Sequence, residues 1–281
     1  MSLKKLTIVA GPTAVGKTAF AIELAKKLDS PIISVDSRQV FQELNIGVAR
    51  PSEEQLTEVK HYLIAHTSIH QPYNAGIFAK EARIIINQLF ETHDNLVVCG
   101  GTGLYIKALL NGFDPLPPSN DNLRMELEEV YSKLGIGFLQ EKLKSISLDL
   151  YKKTEVLNPQ RLIRAIEIGS ASEVPKSDIP DFTHEFETEY KVLNLDRSEL
   201  YVRINRRVDE MLEMGLEEEA KNLEKFQELN ALQTVGYSEW WPYFRGENKI
   251  EYTIDKIKQH SRNYAKRQET WFKHQLTKHT N

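Results

Sequence analysis

The chain alternates short apolar runs with longer stretches of helical period, and that alternation predicts its layout. Residues 6–10 form the first apolar run and read as a strand. Residues 19–28 follow with apolar side chains at Phe20, Ala21, Leu24 and Leu28, a helical spacing. Residues 31–35 read as a second strand ending on Asp36. Residues 96–99 read as a third, followed by the turn Gly100-Gly101-Thr102-Gly103 and a helical run over 104–110. Short strands alternating with helices predict an α/β fold, a parallel sheet covered by helices on both faces. Ligands in such sheets bind beyond the carboxyl ends of the strands, so the segments after these three strands are expected to share one crevice.

The pattern changes at 114–121, where Pro115, Pro117 and Pro118 stiffen the chain. From 123 to about 171 it is helical and rich in charge, with Asn158-Pro159 as a helix start. Residues 172–180, with Pro175 and Pro180, read as a loop. A strand is expected at 190–195, returning to the sheet, and long helices over 198–226 and 254–278. The expected organisation is a sheet core over 1–113 and 181–281, interrupted by a helical insertion at 114–180.

Composition narrows the class. A chain of 281 residues with 41% hydrophobic and 27% charged residues is that of an ordinary globular protein. No apolar run reaches the length of a membrane span, and no secretory leader precedes the first strand, so no membrane role is expected. The single cysteine, Cys99, permits no internal disulfide and points to the cytoplasm. A net charge of −4 argues against a uniformly polyanion-binding surface, yet residues 253–281 carry seven Lys/Arg against two acidic residues.

The sharpest motif is Gly11-Pro12-Thr13-Ala14-Val15-Gly16-Lys17-Thr18, a full G-x-x-x-x-G-K-[ST] set between a strand and a helix. There the backbone N–H groups and the positive helix end converge on phosphate oxygens. Lys17 reaches the terminal phosphates and the Thr18 hydroxyl suits a magnesium ion. The fold class is therefore a P-loop NTPase-like parallel sheet core covered by helices, with a helical insertion domain.

Asp36, at a strand end, can accept a proton, hold magnesium through water, or cap the following turn. ATP-hydrolysing P-loop proteins usually end a neighbouring strand with an aspartate. Here the strand over 96–99 runs into Gly100, which weakens the ATPase reading. Thr102 offers a hydroxyl to a leaving phosphate oxygen, or is a plain turn residue. Arg203 and Arg207 share a helix face by their spacing of four, as do Lys258, Arg262 and Lys266 in the last helix. The first pair suits diphosphate, and the second set suits nucleic-acid phosphates or a solvated face. Arg161 and Arg164 form a further pair in the insertion. His66 and His70 have a metal-pair spacing without further ligands and read as ordinary histidines.

In these motifs and their order the chain resembles the tRNA dimethylallyltransferases (tRNA isopentenyltransferases). The likeness runs through the P-loop, Ile33-Ser34-Val35-Asp36-Ser37-Arg38-Gln39-Val40, Asn45-Ile46-Gly47 with Arg50-Pro51, and His61-Tyr62-Leu63-Ile64. It continues in Gly100-Gly101-Thr102-Gly103-Leu104-Tyr105, Asn158-Pro159-Gln160-Arg161, Arg203-Ile204 with Arg207, Val235-Gly236-Tyr237 and Lys266-Arg267-Gln268. The resemblance implies transfer of a dimethylallyl group from dimethylallyl diphosphate to N6 of the adenosine 3′ to the tRNA anticodon. It implies Asp36 as general base, with Lys17, Thr102, Arg207 and magnesium stabilising the leaving diphosphate. Positions matching the family's tRNA contacts are Asp36, Ser37, Arg38, Gln39, Thr102, Arg124, Gln160, Arg161, Leu162, Ile163, Arg164, Gln233, Gly236, Tyr237, Arg262 and Arg267. A monomer is the default expectation.

Arg50 stands where many members carry lysine, and Phe41-Gln42-Glu43-Leu44 replaces a more usual Tyr-Lys-Gly-Met. Alternatives from the residues alone are a P-loop small-molecule kinase, an adenylate isopentenyltransferase, or a non-catalytic RNA-binding module. Intact Lys17, Thr18, Asp36 and Thr102 argue against the last.

Overall fold

The computed structural model describes residues 4–112, 117, 120–171, 182 and 186–275. Strands β1 (Lys5–Ala10), β2 (Ile32–Ser34), β3 (His61–Tyr62), β4 (Asn95–Gly100) and β5 (Glu187–Val192) form one sheet. Its order is β3-β2-β4-β1-β5, and these pairings are parallel. Leu6, Ile8, Val9 and Ala10 of β1 and Leu96, Val97 and Val98 of β4 are fully buried. Inner strands of a sheet covered on both faces are apolar throughout rather than alternating.

The helices are α1 (Lys17–Leu28), α2 (Glu53–Glu58), α3 (Ala75–Phe90), α4 (Gly103–Asn111), α5 (Asp121–Leu134), α6 (Ile136–Ile146), α7 (Leu148–Lys153), α8 (Pro159–Ser170), α9 (Arg197–Glu213), α10 (Leu216–Leu223), α11 (Trp240–Phe244) and α12 (Ile250–Gln275). The chain divides into two compact units, Met1–Gly112 with Asp181–Asn281, and Phe113–Pro180.

Four differences from the periodicity have physical causes. The stretch between β2 and β4 holds β3, α2 and α3, which the apolar pattern alone does not separate. β5 lies earlier than expected, at Glu187–Val192, because it is a sheet edge stabilised partly by charge. There Lys5 pairs with Glu189 at 2.8 Å, so no continuous apolar run marks it. The helix expected over 198–226 breaks at Gly215, whose φ of 98° ends α9 and starts α10. The last helix begins at Ile250, not 254, and Lys278 lies outside the described residues, as do Pro115, Pro118 and 172–180.

Behind the carboxyl ends of the strands, α9, α10, α11 and α12 share a core with the segment after β2. It contains Val40, Leu44, Val208, Leu216, Leu232, Tyr237, Trp240 and Ile257. Trp240 and Tyr237 are completely buried there. Aromatics of this size bury roughly 150–250 Å² each, enough to fix the loop between them.

The insertion unit has its own core of Leu127, Leu139, Leu143, Leu162, Ile163, Ala165 and Ile166. α8 starts as the sequence indicates: Asn158 accepts a hydrogen bond from the Arg161 amide at 3.2 Å, with Pro159 in the first turn. Glu167 is buried in this unit. It accepts from the Asn120 amide at 3.1 Å, from Arg124 at 2.8 Å and from Arg164 at 3.3 Å.

Candidate active site

Where β1 ends, the chain folds back to form a cradle. Gly11 has a φ of 146°, and a Cβ there would sit 2.5 Å from the Leu193 carbonyl oxygen, so only glycine fits. Ala14 is held at a φ of 65°, a left-handed conformation that costs a non-glycine residue about 1 kcal/mol or more. Such strain at a loop with a free helix N-terminus keeps the backbone amides preorganised for an anion. Lys17, the first residue of α1, donates from Nζ to the Pro12 carbonyl at 2.7 Å. Burial pushes its pKa down to about 8; Cys99 and Asp36 oppose that fall and Arg207 adds to it. Arg207, from α9, donates to the Thr13 hydroxyl at 3.1 Å, and burial lowers its pKa too. Both cations thus rest on neutral partners. Holding Lys17 there without a carboxylate bonded to it is unfavourable, and a bound anion would offset that cost.

Asp36 follows β2 and turns back on its own chain. Its Oδ1 accepts from the amides of Arg38 at 2.8 Å and Gln39 at 3.2 Å. Capping therefore uses one oxygen and leaves Oδ2 for a ligand. The Thr102 hydroxyl accepts from the Ser37 amide at 3.1 Å, joining the turn after β4 to the turn after β2. Gln39 donates to the carbonyls of Val48 at 3.2 Å and Ala49 at 3.0 Å. Arg38 donates to the Asn230 carbonyl at 2.8 Å, another neutral partner. Tyr264 of α12 lies against Thr102, and burial raises its phenol pKa to about 12, so it stays protonated.

These groups surround one cavity of about 750 Å³. Of the residues singled out in the sequence, Thr13, Ala14, Gly16, Lys17, Thr18, Asp36, Ser37, Arg38, Gln39, Arg207, Gln233, Gly236 and Arg267 line it. Gly11, Pro12 and Val15 are buried within the cradle. Thr102 stands behind Ser37.

Other residues lie elsewhere. Arg203 is half exposed and paired with Glu199 at 2.7 Å, a helical turn away from Arg207, so the spacing of four does not bring both to the cavity. Tyr237 has no exposed surface; its hydroxyl donates to Glu219 at 2.5 Å, which also accepts from the Ile46 and Gly47 amides. It secures the loop rather than offering a side chain to RNA. In the insertion unit Gln160 and Arg161 are exposed, with Arg161 bound to Glu155. Arg124 and Arg164 are tied to Glu167. Leu162 and Ile163 are buried in that unit's core, so a contact there falls to their neighbours or to backbone.

The last helix also differs in its orientation. Lys258 pairs with Asp209 at 2.5 Å and Arg262 donates to Asn205 at 2.6 Å, both on α9. The face that lines the cavity instead carries His260, Ser261, Asn263, Tyr264, Arg267 and Gln268. A spacing of four defines a helix face but not what it faces. Burial of Ile257, Ala265, Gln268 and Phe272 decides that.

Gln268 and Tyr264 were not assigned from sequence, although Gln268 closes the Lys266-Arg267-Gln268 motif. Glu239 is also new: buried, it accepts from the Gly236 amide at 2.9 Å and pairs with His260 at 2.7 Å. His66 lies 3.2 Å from Glu81 and His70 packs edge-on against Phe226. Among the described residues no group of three His, Cys, Asp or Glu is placed to hold a metal.

A strained P-loop, a strand-end aspartate and the helix α12 border one cavity. The family model described as IPP transferase matches residues 39–275. The chain belongs to the IPP transferase family. A relative named tRNA dimethylallyltransferase from Flavobacterium johnsoniae is 42% identical over 280 residues, covering 96% of this chain and 91% of its own. Another of that name, from Cytophaga hutchinsonii, is 43% identical over 272 residues, covering 96% and 90%. Among solved structures, the full-length tRNA isopentenylpyrophosphate transferase of Bacillus halodurans superposes with a TM-score of 0.71 at 35% identity, covering 97% of this chain and 88% of that one. A eukaryotic dimethylallyltransferase acting on tRNA superposes at 0.78 with 26% identity, covering 97% and 71%. Like these transferases, this member of the family has a P-loop NTPase-like sheet core. Among its described residues no helix is long and apolar enough to cross a membrane.

Proposed function

We propose that this IPP transferase moves the dimethylallyl group of dimethylallyl diphosphate to N6 of the adenosine 3′ to the anticodon of tRNA, releasing diphosphate. One observation carries the reading. Two desolvated cations with neutral partners, Lys17 and Arg207, share a cavity with a turn-fixed carboxylate, Asp36. That arrangement suits a reaction in which negative charge leaves on one side and a proton is lost on the other.

The donor's diphosphate lies in the Gly11–Thr18 cradle, where Lys17 and Arg207 stabilise the charge that grows as the allylic C–O bond breaks. The adenine amine is a weak acid, so it is not deprotonated beforehand. Its nitrogen turns positive as the C–N bond forms, and Asp36 takes the proton then. Thr102 steadies the turn that bears Asp36. A base stacked in the anticodon loop cannot reach this cavity and must be extruded. Closing over it keeps water from the allylic diphosphate.

Thr18 and Asp36 present hard oxygen donors to the same cavity, a set that fits magnesium. Thr18 would hold the ion, which supplies charge neutralisation to the diphosphate. The reading carries a monomer, since one chain holds the groups named, and a cytoplasmic location, where Cys99 stays reduced. The kinase alternative loses ground to the family membership and to the missing carboxylate after β4.

Labelled dimethylallyl diphosphate with unmodified tRNA and magnesium, without ATP, tests the proposal. Label should appear in tRNA; labelling of free AMP alone, or a strict need for ATP, refutes it. Asp36→Asn keeps a side-chain oxygen as acceptor for the Arg38 and Gln39 amides and removes the base. Turnover should fall at least about a hundredfold with tRNA affinity unchanged, and near-normal turnover would reject the assigned role.

A further inference from the structure

The seating of α12 on the turn after β4 explains why that turn is rich in glycine. Tyr264 reaches Thr102, Gln268 reaches Gly101, and Trp271 covers Gly103. These three positions, spaced by four and three, form one stripe of the helix. Gln268 goes further than its neighbours. It is 6% exposed, and its carboxamide is used at both ends. Oε1 accepts from the Thr13 amide at 2.8 Å, while Nε2 donates to the Gly101 carbonyl at 2.9 Å. The network fixes which end is which, because an amide N–H needs an acceptor and a carbonyl needs a donor. A Cβ on Gly101 would lie 2.3 Å from Nε2, so the absent side chain is what admits the carboxamide.

We propose that Gln268 is a positioning residue for the diphosphate cradle, holding the P-loop and the turn after β4 in register and aiming Arg207 through Thr13. This rests on the function proposed above and adds a residue to it. Thr13 is held twice, its amide by Gln268 from α12 and its hydroxyl by Arg207 from α9. The Arg207 guanidinium has that hydroxyl as its anchor, so its direction depends on how Thr13 is set. Releasing the amide frees Thr13 to turn, and Arg207 then loses its aim at the diphosphate. The same release loosens Gly101, which precedes Thr102, the residue that steadies the Asp36 turn. Gln268 thus joins the leaving-group side of the cavity to the base side through the backbone of each.

The test is the binding of inorganic diphosphate, measured by calorimetry, together with steady-state kinetics for dimethylallyl diphosphate. Gln268→Ala should weaken diphosphate binding about tenfold and raise KM for the donor to match, the scale of one or two buried hydrogen bonds. Affinity for tRNA should stay within about twofold. Gln268→Glu has the same size and keeps the acceptor for Thr13, but sets a carboxylate against the Gly101 carbonyl. It should fail in the same direction, which keeps the proposal testable if the alanine variant does not fold. Thr13→Ala acts on the same relay, so combining it with Gln268→Ala should add no more than about threefold to the worse single loss.

A lowered melting temperature with unchanged diphosphate affinity would overturn the proposal, because Gln268 would then only staple the helix. So would losses that multiply in the double variant. If the unaltered protein binds diphosphate but transfers nothing to tRNA, the function falls while the positioning role is still read from binding.

Discussion

Arginines and lysines are handled in opposite ways by the cavity and by the insertion unit. Around the cavity, Lys17 rests on a carbonyl, Arg207 on a hydroxyl, Arg38 on a carbonyl, and Arg267 over the Tyr264 ring at 5.7 Å. In the insertion, Arg124 and Arg164 converge on Glu167, and Arg161 is bound to Glu155. A cation with a neutral partner keeps its charge available to a ligand and remains costly to bury until one arrives. A cation tied to a carboxylate has its charge offset, wholly or, where two share one carboxylate as Arg124 and Arg164 do, in part, and contributes to structure. Residue type alone does not separate these cases.

The largest test breaks the insertion's charge cluster. Glu167→Ala leaves Arg124 and the Asn120 amide without their acceptor and Arg164 with the Pro117 carbonyl alone, and should destabilise that unit by about 3 kcal/mol. Hydrogen exchange across α5 and α8 would report it, while diphosphate affinity should hold. A parallel loss of diphosphate binding would show that the two regions are not independent.

Next in size, Lys17→Met should weaken diphosphate binding by about a hundredfold, since a buried cation on an anion is worth more than a neutral hydrogen bond. Calorimetry would measure it. A change under about threefold would mean that the desolvated ammonium does not face the ligand.

The pH dependence sharpens the same contrast. Lys17 has its folded pKa lowered to about 8, so it is already charged below that pH and affinity for dimethylallyl diphosphate should be flat there. Above about pH 8 the free protein loses the proton, which binding must restore, and affinity should fall about tenfold per unit. A titration series in the wild type and in Lys17→Met checks this; only the wild type should bend.

The smallest effect concerns RNA. Arg267→Ala should lower the salt slope of tRNA binding by about one, whereas Arg262→Ala, held by Asn205, should change it less. Equal slopes in the two variants would erase the distinction drawn between the faces of α12.

Much of the cradle is legible in the sequence because its chemistry is local. Gly11 to Thr18 are contiguous, and a strand before and a helix after suffice to aim their amides. Asp36 is legible because it ends an apolar run. Arg203 and Arg207 show where such reading stops: their spacing marks a shared face, but only the packing of α9 sends one to the cavity and the other to Glu199. Leu162, Ile163 and Tyr237 are expected among the tRNA contacts from the resemblance, yet burial turns their side chains inward.

Gln268 was legible as part of a motif and not as a function, since its partners lie 255 and 167 residues away in the chain. The edge strand β5 was misplaced for a related reason. Its stability comes partly from Lys5 across the sheet, which no periodicity in its own residues records.

From the sequence alone came the strand–loop–helix of the P-loop and the alternation that makes a parallel sheet. Those depend on neighbours within a few residues. The tertiary structure decided which cations stay unneutralised, which face of α12 fronts the cavity, and that one carboxamide joins its two walls. Each of those depends on desolvation and on partners brought together only by folding.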